Sequence, residues 1–418
     1  MTINRLQYDV LIEALKTRRI VFLSGPRQCG KTMLTKILEK QSKNGKIIYR
    51  TLDDSSLLQA AENDPSGFLK FNKSTMIIDE VQRVPSLILA IKKVVDEDNR
   101  PGQFLLTGST NINALPTVKE SLAGRIQYIR LRTLAQTEIA GKIGASFLEN
   151  AFDQNFSSEH FTEDKAEILQ YCFRGGYPET LHMSDKARKR WHEDYIQALI
   201  ERDLKEIVNI QRLDKLRELI KILCSWSGKF LDLSKIGTYF SINRSTLEGY
   251  VNALEALFLC ERVLSWTKTD YQRVGRRSKI FMTDPGLICS LLKWKHEDVL
   301  LDSDRCGKIF ESFIYSELST LVDHELGEFS LYHYRDREDH EIAFVIERDD
   351  GAVLGIEVKA GSSIGLADFK HLVWFKNKII GSRKFIGIVL YTGEYVVPFG
   401  PDLWGVPIGH VWCAKTKA

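Results

Sequence analysis

Apolar positions in the first third of the chain come in short runs with helix-spaced patterns between them. The run Ile20–Leu23 leads into a glycine-rich turn, after which Leu34, Ile37 and Leu38 recur at helical spacing between Met33 and Lys40. Further strands are predicted at Lys46–Tyr49, Thr75–Ile78, Gln103–Thr107 and Ile126–Leu131, with helical patterns such as Leu87–Val95 between several of them. Strands alternating with helices imply a parallel sheet covered on both faces, an α/β fold.

From about residue 140 the pattern turns helical, with helices expected over Glu163–Phe173 and along Lys186–Ile210. Between Lys215 and Leu264 three helical segments are separated at Ser227-Gly228 and Phe240-Ser241. A polar hairpin-like stretch, Thr267–Arg277, and a strand, Ser278–Met282, follow. This order resembles a winged helix-turn-helix. After Gly307 a helix over Lys308–Leu321 and strands near Ser330–Arg335, Glu341–Glu347 and Val353–Lys359 predict another α/β unit. The expected division is therefore a nucleotide-binding core (1–140), a helical lid or linker (141–210), a winged-helix segment (211–300) and a C-terminal α/β domain (301–418).

Composition changes this picture in one respect. With 44% hydrophobic residues in 418, the chain can bury several cores, and 58 basic against 55 acidic residues leave only +3, so no global field calls for nucleic acid or acidic lipid. Residues 211–300, however, hold 15 Lys and Arg against 10 Asp and Glu, so the basic excess is local. The seven cysteines are scattered and never spaced as CxxC, which argues against a disulfide framework or zinc knuckle. No apolar run approaches the ~20 residues needed to cross a bilayer, and the chain reads as a soluble, cytoplasmic protein without a membrane partner.

The segment Gly25-Pro26-Arg27-Gln28-Cys29-Gly30-Lys31-Thr32, followed by Met33, matches G-x-x-x-x-G-K-[ST] between a strand and a helix. Loop and helix N-terminal N–H groups suit phosphates, Lys31 the β/γ oxygens, and the Thr32 hydroxyl a Mg2+ ion, so ATP and Mg2+ are the expected cofactors. Met76-Ile77-Ile78-Asp79-Glu80 is an apolar strand ending in two acids: Asp79 to hold the Mg2+ shell and Glu80 to orient or deprotonate the attacking water. The next strand ends Thr107-Gly108-Ser109, where Ser109, or alternatively Thr107, could sense the γ-phosphate. Arg125, at the end of Ser121-Leu122-Ala123-Gly124-Arg125, could reach a neighbouring subunit's γ-phosphate as an arginine finger, which requires an oligomer.

These motifs, in this order, resemble the AAA+ superfamily, and more closely prokaryotic AAA ATPases whose P-loop reads GPRQxGKT and which carry a C-terminal domain of unknown function. The resemblance extends over nearly the whole chain. It implies an ATP-hydrolysing switch that assembles with copies of itself. Arg174-Gly175-Gly176-Tyr177-Pro178-Glu179 fits the same pattern, since related ATPases carry a Gly-x-Pro turn in the lid over the nucleotide.

Two further sites concern partners. Asn243-Arg244-Ser245-Thr246 opens the recognition helix of the winged-helix segment, and Lys268, Arg273, Arg276, Arg277 and Lys279 lie on or beside its wing, a placement suited to the phosphates of double-stranded DNA. In the last domain Glu311 on a helix and Ile356-Glu357-Val358-Lys359 on a strand resemble the PD-(D/E)XK restriction-endonuclease-like fold, whose acids bind Mg2+ while the lysine steadies water. Relatives usually read Glu-(Val/Ile)-Asp-Phe on the preceding strand, where this chain has Glu341-Ile342-Ala343-Phe344. Ala343 offers no oxygen, which leaves at best two carboxylates, Glu311 and Glu357; Asp336 or Glu341 are the substitutes, although strand alternation places Glu341 on the same face as Ala343, one position earlier in that row. The expectation is a degenerate nuclease site, with DNA or a partner protein bound rather than cut; an ATP-regulated endonuclease and a nucleotide-gated protein scaffold are the alternatives.

Overall fold

The computed structural model describes residues 3–42, 47–70, 74–109, 122–142, 146–156, 160–204, 213–269 and 276–412. The chain divides into two compact units, one of Asn4–Thr133 with Asn252–Leu259, the other of Leu134–Val251 with Cys260–Ala418.

The first unit is built on a five-stranded, wholly parallel sheet of β1 (Ile20–Ser24), β2 (Ile47–Thr51), β3 (Thr75–Asp79), β4 (Phe104–Gly108) and β5 (Ile126–Arg130), in the order 2-3-4-1-5. Successive side chains of a strand point to opposite faces, so its continuous apolar runs feed two cores. Ile20, Phe22, Met76, Ile78, Phe104 and Leu106 face one, where the helix Ser86–Glu97 adds Leu87, Ile88, Ile91 and Val95 at helical spacing. Val21, Leu23, Ile77 and Leu105 face the other, covered by Val10, Leu11 and Ala14 of the helix Gln7–Thr17 and by Leu34 and Leu38 of the helix Lys31–Gln41. Burial on both faces is what a parallel sheet requires. Because β4 lies between β1 and β3, the C-terminal ends of these three strands meet at one edge of the sheet, where ligands of open α/β sheets bind.

The second unit contains the helices Lys165–Arg174, Asp185–Ala198, Leu213–Trp226 and Leu233–Phe240, and a three-stranded antiparallel sheet of β6 (Lys229–Phe230), β7 (Cys260–Val263) and β8 (Lys279–Met282), ordered 6-8-7. The helix expected over Lys186–Ile210 ends its α-helical course at Ala198 and continues as a π turn over Leu199–Asp203; residues 205–210 lie outside the described residues. The helix Ser303–His324 precedes a six-stranded mixed sheet of β9 (Phe329–Arg335), β10 (Glu341–Arg348), β11 (Val353–Val358), β12 (Phe385–Tyr391), β13 (Val397–Gly400) and β14 (Leu403–Pro407), ordered 13-14-12-11-10-9.

The turn Gly175-Gly176 has a packing explanation. Gly175 adopts φ +68, and a Cβ there would lie 2.4 Å from the Asp284 carboxylate, which accepts the Gly176 N–H at 2.8 Å and caps the helix Pro285–Leu291 through the Leu287 N–H. Among the described residues no helix is long and apolar enough to cross a membrane.

Candidate nucleotide site

The glycine-rich loop leaves β1 at its C-terminal end and enters the helix Lys31–Gln41, for which Gly30 (φ +103) is the N-cap. Gly25 is required both sterically and conformationally: its φ is +155, and a Cβ would lie 2.1 Å from the Leu131 carbonyl oxygen. Cys29 is buried, with its thiol 3.4 Å from the same carbonyl oxygen, so only its backbone is available to the loop. Lys31, 5% exposed, donates from Nζ to the Gly25 and Pro26 carbonyl oxygens at 2.8 Å each. Pro26 is buried, Arg27 partly exposed, Gln28 exposed at φ +62, and Met33 is 59% exposed.

The motif acids are assembled beside this loop. The Thr32 hydroxyl donates to Asp79 Oδ2 at 3.0 Å, which brings together the two oxygen ligands expected for a hard cation. Asp79 also accepts from the Tyr49 hydroxyl at 2.6 Å and from the Thr107 hydroxyl. Burial first, then the bond to Asp79, raises the Tyr49 phenol well above its ordinary value, so it remains a donor. Glu80 adopts φ +60, and its N–H donates to Thr107 Oγ1 at 3.1 Å. The Glu80 carboxylate accepts from the Gln82 amide and from the Ser109 hydroxyl at 3.3 Å, and Gln82 Nε2 reaches Ser109 Oγ at 3.2 Å. Thr107 thus positions both acids, and Ser109 bonds Glu80.

Three participants carried no motif signal. Arg5 braces the loop, donating to the Cys29 carbonyl oxygen at 2.7 Å and to that of Arg132 at 2.7 Å. Tyr49 reaches Asp79 from β2, and Gln82 reaches Glu80 from the short turn Val81–Arg83. Only Gln82, two residues past the acid pair, was within reach of local reasoning.

Arg125 is elsewhere in the unit. It precedes β5, and its backbone carbonyl accepts from Ile20 N–H at the start of β1, at the sheet end away from the loop. Its Nε pairs with Asp96 at 2.5 Å, which holds the Asp96 carboxyl below its usual range. It makes no part of the loop's own site, so any role on a nucleotide belongs to a neighbouring copy.

The acids expected in the last domain also come together, with corrections. Glu311 is joined by Glu341 and not by Asp336, whose carboxylate is engaged by the N–H groups of Glu338 and His340 and by the His340 ring. A bulge in β10 between Ile342 and Val345 interrupts the strict alternation assumed for Glu341 and Ala343. Lys279, expected at the wing against phosphate, is instead 1% exposed on β8, with Nζ 2.8 Å from Glu311 Oε1 and 2.7 Å from Glu341 Oε1. Its neighbours on β8 are apolar and packed, so the strand turns this side chain inward. Lys359 pairs with Asp368 at 3.4 Å. Arg244, Lys268, Arg276 and Arg277 are exposed, whereas Arg273 lies outside the described residues. Asn243 caps the helix Arg244–Ala256, accepting the Thr246 N–H at 2.8 Å.

Comparison with known proteins agrees with the geometry of the first unit. Residues 17–140 match a family model described as an AAA domain, residues 165–298 one described as a domain of unknown function (DUF8612), and residues 306–411 another of unknown function (DUF4143). Uncharacterized proteins of Mycobacterium tuberculosis and Mycobacterium bovis are each 24% identical over 402 residues, covering 96% of this chain and 82% of theirs. Among solved structures, AMPPCP-bound DnaA from Aquifex aeolicus aligns at a TM-score of 0.30 and 14% identity, over 61% of this chain and 89% of that one. A STAND signal-transduction ATPase with a tetratricopeptide repeat sensor from Pyrococcus horikoshii aligns at 0.26 and 15%, over 77% and 50%. Likenesses at such TM-scores say nothing about how this chain acts. The chain carries an AAA domain followed by two domains of unknown function.

Proposed function

We propose that the protein is an ATP-hydrolysing switch, in which nucleotide binding and turnover in the first unit govern an action of the second on DNA or on a partner protein. The observation that carries the ATPase reading is the Thr32–Asp79 hydrogen bond at 3.0 Å, with Glu80 and Ser109 bonded beside it at the P-loop edge. The residues fit the cofactors: an all-oxygen pair, Thr32 and Asp79, suits Mg2+, and Lys31 with the loop N–H groups suits polyphosphate. Mg2+ would neutralise charge on the phosphates. Glu80, held by Gln82 and Ser109, would orient the attacking water and take its proton, and Lys31 would exchange its bonds to loop carbonyls for phosphate oxygens.

For the second unit, DNA is the favoured partner. The element order helix, β6, helix, helix, β7, β8 is that of a winged helix, and the start of its third helix presents exposed Arg244. A cleft of about 1440 Å³ in the same unit is lined by the cations Lys229, Lys235, Arg276, Arg277, Arg335 and Arg337 and by the acids Asp232, Asp336, Glu338, Asp339 and Glu341. Of these, the exposed Lys229, Lys235, Arg276 and Arg277 are the cations suited to a phosphate backbone.

The test is steady-state ATP hydrolysis with Mg2+, with nucleotide binding measured in parallel. Lys31→Ala should lose binding and turnover, and Glu80→Gln should keep ATP binding while turnover falls by roughly 10²-fold or more, the scale of a lost general base. Turnover equal in wild type and both variants sinks the reading. Fluorescence anisotropy with duplex DNA over a salt series tests the second half: a steep salt slope supports phosphate contact, and no binding at low salt favours the protein-scaffold alternative.

A further inference from the structure

The acid centre of the second unit contains more carboxylates than the E-x-K motif announces and a cation that the motif does not provide. The helix Ser303–His324 supplies Glu311, the start of β10 supplies Glu341, and β11 supplies Glu357. From a different sheet, β8 inserts Lys279. Its side chain is 2% exposed, its ammonium lies 2.8 Å from Glu311 and 2.7 Å from Glu341, and it also lies 5.8 Å above the Phe230 ring.

We propose that Lys279 is the resident cation of the Glu311–Glu341–Glu357 centre: its ammonium takes the place among converging carboxylates that a divalent metal ion would otherwise occupy, and joins β8 to the nuclease-like sheet without a metal.

Ligand competition and charge both support this assignment. A divalent ion needs several oxygens at about 2.0–2.6 Å, and the ammonium already engages Glu311 and Glu341, the two acids other than Glu357 that could supply them. As to charge, Arg335 Nη1 lies 3.5 Å from Glu341 Oε2, a second cation that Glu341 shares with Asp339, 2.7 Å from Arg335 Nη2. Two cations thus already lie against these acids, where a divalent ion would bring two further positive charges.

None of this depends on the ATPase reading, and the test uses no nucleotide. Mn2+ is titrated into the full chain and followed by electron paramagnetic resonance of the free ion and by thermal unfolding. Wild type should show no Mn2+ site that depends on Glu311, so Glu311→Gln leaves the titration unchanged. Lys279→Ala and Lys279→Met should each gain a Mn2+ site at least tenfold tighter than any in wild type, and the gain should vanish when Glu357→Gln is added. A folded Lys279→Ala chain with no gained site overturns the proposal, as does Mn2+ binding by wild type that Glu311→Gln weakens. Should both Lys279 variants fail to fold, wild type decides with Glu357→Gln. Melting temperatures indifferent to Mn2+ and to a chelator in both proteins uphold the assignment; Mn2+ stabilisation of wild type that Glu357→Gln abolishes refutes it.

Discussion

Glu317 offers a prediction with a sign and a size. It lies on the helix Ser303–His324, 2% exposed, and its two carboxyl oxygens accept from the Gln136 N–H at 3.1 and 3.0 Å. Burial, opposed by that backbone bond and reinforced by the nearby Glu138 charge, pushes its pKa from 4.5 up to about 8. The folded chain therefore keeps a proton that the unfolded chain releases above pH 4.5. Where the unfolded state binds fewer protons, stability falls as pH rises. Between the unfolded value and about 8 the slope contributed by Glu317 is about 1.4 kcal/mol per pH unit, and the full loss approaches about 5 kcal/mol. Burial also pushes the Glu357 carboxyl up, which slopes the same way, so the comparison must be between variants. Glu317→Gln keeps the shape and an acceptor for the Gln136 N–H but cannot ionise. Urea unfolding at pH 5, 6, 7 and 8, followed by a probe in the second unit, should show the midpoint of wild type falling more steeply than that of Glu317→Gln. The variant should be the more stable at pH 8 and close to wild type at pH 5. Parallel midpoint curves would mean that Glu317 is ionised in the fold, and would refute the burial argument.

Two other predictions concern the nucleotide unit. Gly25→Ala places a Cβ 2.1 Å from the Leu131 carbonyl oxygen at a φ of +155, so ATP affinity should fall at least about tenfold from strain on the order of 1–3 kcal/mol; an unchanged Kd in a nucleotide titration would show that the loop tolerates the shift. Arg125→Ala, which removes a surface pair with Asp96 and a bond from Nη1 to the Ala123 carbonyl oxygen, should leave the melting temperature and ATP affinity nearly as they were. If it serves a neighbouring copy, kcat should drop on the order of 10³-fold, and unchanged turnover at high protein concentration would exclude that role.

The inner strands of the first unit's sheet were legible because β1, β3 and β4 are buried on both faces and their runs are apolar enough to stand out, and the bounds of all five strands shift by no more than a few residues. The P-loop and acid pair were legible because their spacing is local. What escaped was set by distance or by direction. Arg5 and Tyr49 reach Cys29 and Asp79 across 24 and 30 positions, and no periodicity announces such bonds. Arg276, Arg277 and Lys279 read as one basic patch, but the first two are exposed while the third lies on a packed strand and turns inward. Glu341 was left open beside Asp336 because side-chain direction along β10 depends on a bulge, which leaves no plain mark in the sequence.

The grip of Arg5 carries a mechanical consequence. One guanidinium holds the Cys29 carbonyl and the Arg132 carbonyl together, and Gly25 sits against Leu131 with no room to spare. The loop that would cradle phosphate is thus lashed to residues 131–132, one residue before the last of the first stretch of this unit, Thr133. A movement of the loop must stretch those two bonds or drag residues 131–132 along. Arg5→Ala would remove both bonds at once and free the loop from residues 131–132 while leaving the residues of both segments unchanged.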